Sequence, residues 1–415
     1  MITVLCFAAL TAAGGPLTMD QAVAEAIARN RDLIAARLDI EAAQIDRVAA
    51  GLYPNPVLSY SLGNIVLGPA NDQMMGVKSS AFGQTVHSVS ISDVIDVWAK
   101  RNAHIRAADR GVEYQRIVVE DALREVTYAV RSAFADVVRE QWELQLARDT
   151  RARYDETIRL SRARFSAGDI SEAELRKIEL EGLRYQNDVI DGEMELDLAR
   201  QKLALLMALP ASALPEAVAE PAERAPALEL QPLVDRALRE RPDVRAVLAA
   251  SRRAQADLSS AKRDALPDIS LGIDYTHSNF QVSGDNPNSL SLTLSLPLPV
   301  FDRNQAGIGK ARLEQKRAEN DNVKLQLAVE HDVAEAVRKS QRARTLVQVF
   351  EGGMLERAET ALKVAEKSYK AGAVSLLELL EAQRTYIETR AQYLRAKHDL
   401  RQGLIDVTHA VGGEL

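Results

Sequence analysis

The sequence has one cysteine, few aromatic residues and no excess of positive charge. Cys6 has no partner for an intrachain disulfide, and aromatic residues make up only 5% of the chain, which argues against a core of large rings. The formal net charge is −7 without a basic patch, so no nucleic-acid partner is expected. Beyond the N-terminal run, no stretch offers the roughly 20 apolar residues that a membrane-spanning helix needs. If the chain crosses a membrane, it must therefore cross as β-structure.

The first residues resemble an export signal. An apolar run from Val4 to Ala13 ends in Thr11-Ala12-Ala13, the small-residue pattern of a cleavage site, although the basic residues that usually precede such a run are missing. Lipidation of Cys6 is the alternative, but the large Leu5 stands where lipoprotein signals carry a small residue. We expect residues 1–13 to be a signal-like segment.

Catalytic and metal-ligating patterns are missing as well. The histidines are scattered along the chain and none stands at the spacing of a metal-ligand set or beside a nucleophile. We therefore predict neither an enzyme nor a resident metal or cofactor. A periplasmic metal-binding protein is disfavoured for the same reason.

What the chain has in abundance is helix-forming sequence. Ala, Leu, Arg, Glu and Gln dominate its long stretches, which favours long helices packed through small side chains. Two series of apolar and small residues recur at three- and four-residue steps and predict coiled-coil seams. The first series is Val126, Val130, Ala133, Val137, Leu144, Ala147, Tyr154, Ile158, Ser161 and Phe165; the second is Val333, Ala336, Ser340, Ala343, Val347 and Phe350.

The chain also repeats itself. Residues 165–175 align with residues 369–379, about 200 positions later, and an aromatic residue, Ala-Gly, Ser, Glu and Leu recur in register. We place a first repeat at 14–208 and a second at 233–415, separated by a proline-rich linker at 209–232. Each repeat is predicted to contain a helix of about 30 residues, two strands, a very long helix, a glycine turn and a returning helix.

Apolar and polar residues alternate in four segments, which predicts strands at about 57–66, 86–95, 269–280 and 289–297. Long helical hairpins follow at about 100–207, with its tip at Gly168, and at about 304–412, with its tip at Gly372. Four strands cannot close a membrane barrel, so several protomers would have to pool their hairpins. The alternative is a soluble coiled-coil scaffold or tethering protein without transport activity, which leaves the alternating hairpins unexplained.

This duplicated order of helix, β-hairpin and long helical hairpin resembles the TolC family of outer-membrane efflux proteins from about Leu17 to Gly413. Residues 296–307, which read LPLPVFDRNQAG, resemble the strand-to-helix junction of its heavy-metal, CzcC-like branch, as does Tyr53-Pro54-Asn55-Pro56. The junction in the first repeat departs from the branch, because Val97-Trp98-Ala99 stands where a glycine-rich stretch is expected.

The resemblance implies a mainly α fold with a membrane portion. Three protomers would form a twelve-stranded β-barrel in the outer membrane of a Gram-negative bacterium, continued through the periplasm by an α-barrel with the linker as an equatorial belt. It further implies a periplasmic adaptor, an inner-membrane RND-type pump and outer-membrane lipid as partners. The function implied is that of a duct that conducts the pump's cargo, heavy-metal cations in this branch, to the exterior.

The resemblance also assigns site residues. The hairpin tips would contact the adaptor, through Ala167, Gly168, Asp169, Ala371, Gly372 and Ala373. The closed aperture would be lined by Glu378, Glu381, Tyr369 and Glu174. Glu378 and Glu381 are three residues apart and share one helix face, which is equally the pattern of a solvated face. The arginine that some members carry two residues after the tip glycine is Val374 here.

Overall fold

The computed structural model describes residues 16–65, 67, 82–218, 228–279 and 286–414. The signal-like segment 1–13 with Cys6 and the middle of the linker, 219–227, lie outside the described residues. The chain divides into two units. The sheet unit comprises 39–116 and 247–322; the helical unit comprises the residues up to Leu38, 117–246 and those from Val323 onward.

The sheet unit is built on four antiparallel strands in the order β1-β2-β3-β4. These are β1 (Val57–Gly63), β2 (Val86–Ile95), β3 (Ile269–Ser278) and β4 (Asn288–Ser295). Three strands are shorter than predicted. β1 stops because Asn64 takes a left-handed φ of 56°, β3 stops at Ser278 before a bend at Asn279, and β4 stops before Leu296-Pro297, where proline has no N–H to donate.

The register sorts the side chains of the sheet onto two different faces. On one face, Leu58, Ile91, Ile273 and Leu292 lie side by side across the four strands. On the other face, Ser59, Ser90, Asp274 and Ser291 form the neighbouring row. Alternation with period two therefore produces one apolar and one hydroxyl-rich surface, as the sequence predicts.

Nine α-helices are assigned in the described residues. They are α1 (Met19–Arg29), α2 (Arg31–Ala50), α3 (Lys100–Ser166), α4 (Glu172–Leu206), α5 (Leu230–Glu240), α6 (Pro242–Asp264), α7 (Gln305–Val349), α8 (Leu355–Lys370) and α9 (Leu376–Val411). With 67 residues, α3 is about 100 Å long. None of these helices combines the length and the apolarity needed to cross a membrane.

The first helix of each repeat is not the single helix of about 30 residues that the periodicity predicts. It is divided at Asn30 in the first repeat and at Arg241 in the second, where ψ turns to 128° and 127°. Pro242 follows Arg241 at the first position of α6, where its missing N–H costs nothing and the residue before it is pushed out of the helical region. The linker also ends earlier than expected, since α5 begins at Leu230.

The cores of the helical unit follow the two predicted seams closely. All six residues of the second series are buried, and so are Val130, Ala133, Val137, Leu144, Tyr154 and Ser161 of the first. Phe165, the last residue of the first series, is 40% exposed and does not continue the seam. The second long helix is also interrupted, by a π-helical turn at Phe350–Met354 in which Gly353 has a φ of 118°. Only glycine enters that conformation readily.

Candidate functional site

Both helical hairpins end in the same glycine turn. Gly168 (φ 82°) and Gly372 (φ 74°) take left-handed conformations directly after α3 and α8. The amide of Asp169 donates to the carbonyl of Arg164 at 2.9 Å, and that of Ala373 donates to Ser368 at 2.8 Å. This is the Schellman pattern, in which a glycine closes the last turn and satisfies orphan carbonyls.

The helices that leave these turns begin with identical capping boxes. Ser171 caps α4 through the amide of Glu174 (3.2 Å), and the Glu174 carboxylate accepts from the Ser171 amide (2.9 Å). Ser375 and Glu378 repeat both bonds at 3.3 Å on α9. Hydrogen bonds from the Ser171 backbone and hydroxyl lower the pKa of Glu174. Two of the four residues assigned to the aperture thus also start a helix.

Tyr369 joins the two hairpins to each other. It is 1% exposed, and its hydroxyl lies 3.1 Å from Ser161 Oγ on α3. Arg164, one helical turn further, donates to the Tyr369 carbonyl at 3.3 Å, and its guanidinium carbon lies 4.7 Å from the centre of the ring. Val374, which stands in place of the family arginine, packs against the apolar cluster around Tyr369. The tips are therefore held by contacts from α3.

Glu378 and Glu381 are both exposed on α9. Further along the same helix, Arg384 pairs with Glu388 at 2.8 Å, and the charge of Glu381 adds to that of Glu388 in raising the pKa of Arg384. The exposed face therefore carries two carboxylates at its tip end and a neutralised ion pair behind them. Such a pair of like charges three residues apart can attract a cation if other copies bring further carboxylates nearby.

The sheet carries aromatic and imidazole side chains at one end of its apolar face. Tyr60 OH lies 2.9 Å from His87 Nδ1, and the rings of His87 and His277 are 6.5 Å apart across β2 and β3. Asn288 Oδ1 accepts from Tyr275 OH at 2.6 Å and lies 2.9 Å from His277 Nδ1. A row of rings thus crosses the sheet, with hydrogen bonds on each side of the His87–His277 contact, and aromatic residues in such a row are typical of the lipid–water border of membrane proteins.

A second group of exposed apolar and aromatic residues lies where the strands meet the helices. It contains Tyr53, Val97, Trp98, Leu298 and Phe301. The indole of Trp98 donates to the Pro267 carbonyl at 2.9 Å, and the Arg101 guanidinium lies 4.2 Å from the centre of the Tyr53 ring. The apolar face of the sheet is thus bordered by aromatic residues at both ends.

The model of the family described as outer membrane efflux protein matches residues 22–209 and 233–413 and leaves out the segment between them. The chain belongs to the outer membrane efflux protein family. As a member of this family it is an outer-membrane protein. Among its described residues, no group of three or more His, Cys, Asp or Glu side chains is arranged to hold a metal ion.

Individual members of the family align over most of this efflux protein. The cobalt-zinc-cadmium resistance protein CzcC of Cupriavidus metallidurans is 23% identical over 400 residues, covering 96% of this chain and 91% of that protein. The pyoverdine export outer membrane protein OpmQ of Pseudomonas putida is 24% identical and covers 95% and 86%. A crystal structure of CusC matches with a TM-score of 0.76 at 19% identity, covering 95% and 92%.

The structure adds residues to the tip of this efflux protein that the sequence did not single out. The sequence pattern places Ser161 only in a seam and gives Arg164 no role, because their contacts with Tyr369 join segments about 200 residues apart and no local pattern indicates them. The pairing of Arg384 with Glu388 could have been read from its i, i+4 spacing.

Proposed function

We propose that three copies of this chain form an outer-membrane efflux duct that receives cargo from a periplasmic adaptor and an RND-type pump. The observation that carries the proposal is the open sheet. Strands β1 and β4 each pair on one side only, so each leaves a row of backbone N–H and C=O groups without a partner in the described sheet. Such groups are not tolerated in lipid, and closing the sheet with further copies satisfies them.

The helical unit leaves a second surface for neighbouring copies. Six large apolar residues of α4 are more than a third exposed and fall within about 80° on the helix surface. They are Leu180, Leu183, Ile190, Met194, Leu198 and Leu205. A stripe of this kind at coiled-coil spacing, bare in one protomer, fits the helix of another copy.

The two aromatic borders support outer-membrane lipid as the environment of the sheet. From His87 to its end at Ile95, β2 rises by about 26 Å along its own axis, and Trp98 follows in a turn beyond the strand. A strand tilt of about 45° reduces the strand alone to about 19 Å, so the aromatic borders beyond its ends bring the span toward the apolar band of about 25 Å in outer-membrane barrels. Leu58, Ile91, Ile273 and Leu292 lie between the borders and would face the lipid tails.

We propose heavy-metal cations as the cargo. CzcC is by name a cobalt-zinc-cadmium resistance protein, and the two carboxylates at the tip of α9 would present negative charge to a cation. The likeness to OpmQ favours an organic siderophore as the second candidate. A deletion strain complemented with this chain distinguishes the two: we expect restored tolerance to cobalt, zinc or cadmium and unchanged siderophore secretion.

The assembly is tested by light scattering of the detergent-solubilised protein. We expect a trimer for the wild type and for Lys177→Glu, which changes an exposed charge of α4 outside the apolar stripe. Ile190→Glu/Leu198→Glu places two charges within the stripe and is expected to dissociate or destabilise the trimer. A folded, monodisperse wild-type monomer, as the scaffold alternative allows, would overturn the proposal.

A further inference from the structure

The hydroxyl-rich face of the sheet carries a single ionisable side chain among the described strand residues. That face consists mainly of serine and threonine: Ser59, Ser61, Ser88, Ser90, Ser92, Ser270, Thr276, Ser278, Ser289, Ser291, Thr293 and Ser295. The other positions are valine, glycine and Asp274. A surface of small neutral hydroxyls offers water-like contacts to any passing solute and discriminates little by charge. Asp274 breaks that neutrality.

The neighbours of Asp274 leave its charge uncompensated. It lies opposite Ser90 on β2 and Ser291 on β4, and Thr293 Oγ1 donates to its carboxylate at 2.9 Å. No lysine, arginine or histidine stands on this face in the described strands, because His87 and His277 point to the apolar side. A single hydrogen bond from a hydroxyl orients the carboxylate without neutralising it.

The exposure of the strands indicates which face would line a lumen. Along β2, the apolar-face residues Val89 and Ile91 are exposed, whereas Ser88, Ser90 and Ser92 of the other face are half-buried. β3 repeats this pattern, with Ile273 exposed and Asp274 half-buried. In the two central strands the hydroxyl-rich side is therefore the more enclosed one, whereas the edge strands β1 and β4 are exposed on both faces.

We propose that Asp274 is a charge-selecting residue of the duct, which favours cations over anions as they pass through the sheet portion. The proposal rests on the proposed function, because threefold symmetry would place three Asp274 carboxylates at one level of a closed barrel. They are separate from the carboxylates of Glu378 and Glu381 on α9. Two acidic levels would then act on the same cargo, and the one in the sheet is surrounded by neutral hydroxyls.

The width of the lumen limits the effect and makes it depend on salt. A twelve-stranded barrel holds its interior charges well apart, so their field is screened at 0.1 M salt, where the Debye length is about 10 Å. At 0.01 M it is about 30 Å, and the field of three carboxylates can span the lumen. Charge selection by Asp274 is therefore a low-salt property.

The test uses the full-length protein in planar bilayers, with potassium chloride gradients at low and high salt. All variants are made in a protein that already carries Glu378→Gln/Glu381→Gln, so that selectivity from the tip carboxylates does not mask selectivity from the sheet. Adding Asp274→Asn should lower the cation-to-anion permeability ratio about twofold at 0.01 M salt and leave it unchanged at 1 M. Adding Asp93→Asn, which removes a carboxylate from the apolar face, is the matched control. It should leave the permeability ratio unchanged at both salt concentrations.

Each outcome is decisive. A reversal potential that Asp274→Asn leaves unchanged at low salt, in channels that conduct normally, overturns the role of Asp274 and leaves the proposed duct intact. An equal shift with Asp93→Asn overturns it as well, because selection would then not depend on the face. If the wild-type protein forms neither trimers nor channels, the proposed function fails and the inference falls with it.

Discussion

The two repeats hold their returning helices in place by different chemistry on the same backbone. Asn30 ends α1 with φ −57° and ψ 128°, and Arg241 ends α5 with φ −58° and ψ 127°. The Asn30 amide donates to the carbonyl of Leu206 near the end of α4 at 3.0 Å. Arg241 reaches the carbonyl of Ala410 near the end of α9 at 3.2 Å. One role, tying a helix break to a helix end, is thus performed by a neutral amide in one repeat and by a guanidinium in the other.

The guanidinium requires partners that the amide does not. Arg241 is 4% exposed and forms ion pairs with Asp243 (2.6 Å) and Asp332 (3.2 Å). Asn30 is 5% exposed, and its Oδ1 simply accepts the amides of Asp32 and Leu33 at the start of α2. The second repeat therefore depends on ion pairs around a buried guanidinium, and removing its carboxylate partners leaves that charge uncompensated.

At the tips the repeats are alike. Both have a left-handed glycine, a Schellman turn and a serine–glutamate capping box, although the helices that lead there differ, since α3 is continuous and a π-helical turn separates α7 from α8. Divergence is therefore greatest far from the tips. This is the pattern expected if the tips form one common surface for a partner and the helix breaks serve only stability.

The largest effect on stability is expected from removing the Arg241 side chain, which makes the charged contacts of the second repeat. Arg241→Ala leaves the half-buried Asp243 with only the more distant Arg124, 3.7 Å away, which should destabilise the helical unit by about 2 to 3 kcal/mol. Asn30→Ala removes a cap and should cost only about 1 kcal/mol. Thermal unfolding of both variants, followed by circular dichroism, compares the two repeats directly.

The charge explanation has its own control. Arg241→Ala/Asp243→Ala removes both charges and should recover part of the stability lost in Arg241→Ala, because the half-buried carboxylate that lost its closest partner is removed as well. A double variant that is less stable than Arg241→Ala would contradict the charge explanation. Equal losses of stability in Arg241→Ala and Asn30→Ala would mean that the two contacts are energetically equivalent.

Acid should weaken the second repeat through the same carboxylate. Burial alone would raise the pKa of Asp243, but the hydrogen bonds and charge of Arg241, together with the charge of Arg124, outweigh it and hold this pKa below its usual value. The resulting stabilisation is present above the unfolded pKa of about 3.9 and is lost as the pH falls through the folded value. Below about pH 4, the wild type should therefore lose more stability than Asp243→Asn. Equal losses of stability in the wild type and in Asp243→Asn, measured by circular dichroism in acid titrations, would contradict this prediction.

The tip glycines should respond equally in the two repeats. Gly168→Val and Gly372→Val each force a β-branched residue into a left-handed conformation, at a cost of about 1 to 2 kcal/mol. An added Cβ meets nothing within 4 Å at either position, so the damage should stay local. We expect lost efflux in a complemented deletion strain, with trimer and membrane insertion intact. Gly309→Ala, at an equally open position in α7 without a positive φ, should be neutral or slightly stabilising.

The sequence predicts the parts of this fold that depend on periodicity. The strand β2, the second seam and the glycine tips follow from spacings that single elements impose on their own residues. It does not predict the break at Asn30, because apolar residues continue in step across it, whereas Pro242 marks the break at Arg241. Nor does it predict the hold of Ser161 and Arg164 on Tyr369, since contacts between distant helices depend on how the hairpins pack.

A smaller effect is expected at the junctions that lead into the long helices. Ala99 before α3 and Asn304 before α7 have φ values of 52° and 54°. Alanine is strained there, so Ala99→Gly should stabilise the protein by about 1 kcal/mol. Asn304→Gly should not, because the Asn304 side chain donates to the Ala261 carbonyl at 2.8 Å. A rise in melting temperature for Asn304→Gly as large as for Ala99→Gly would contradict this account.

The smallest effect on stability, and the sharpest on conduction, is expected at the carboxylates that follow the tips. Glutamine also serves at the third position of a capping box, so Glu174→Gln and Glu378→Gln/Glu381→Gln should fold normally. Like charges about 4 Å apart repel by about 1 kcal/mol even in water, and a cation bound among six carboxylates of a trimer relieves that repulsion.

The first repeat has Lys177 where the second has Glu381, so its glutamate is not reinforced by a second acid. Single-channel recordings at 1 M salt, where the field of Asp274 is screened, with and without a trivalent cation should therefore show cation preference and block largely lost in the double variant and reduced less in Glu174→Gln. If the double variant keeps both, Glu378 and Glu381 form a solvated helix face and the two repeats do not differ in function at their tips.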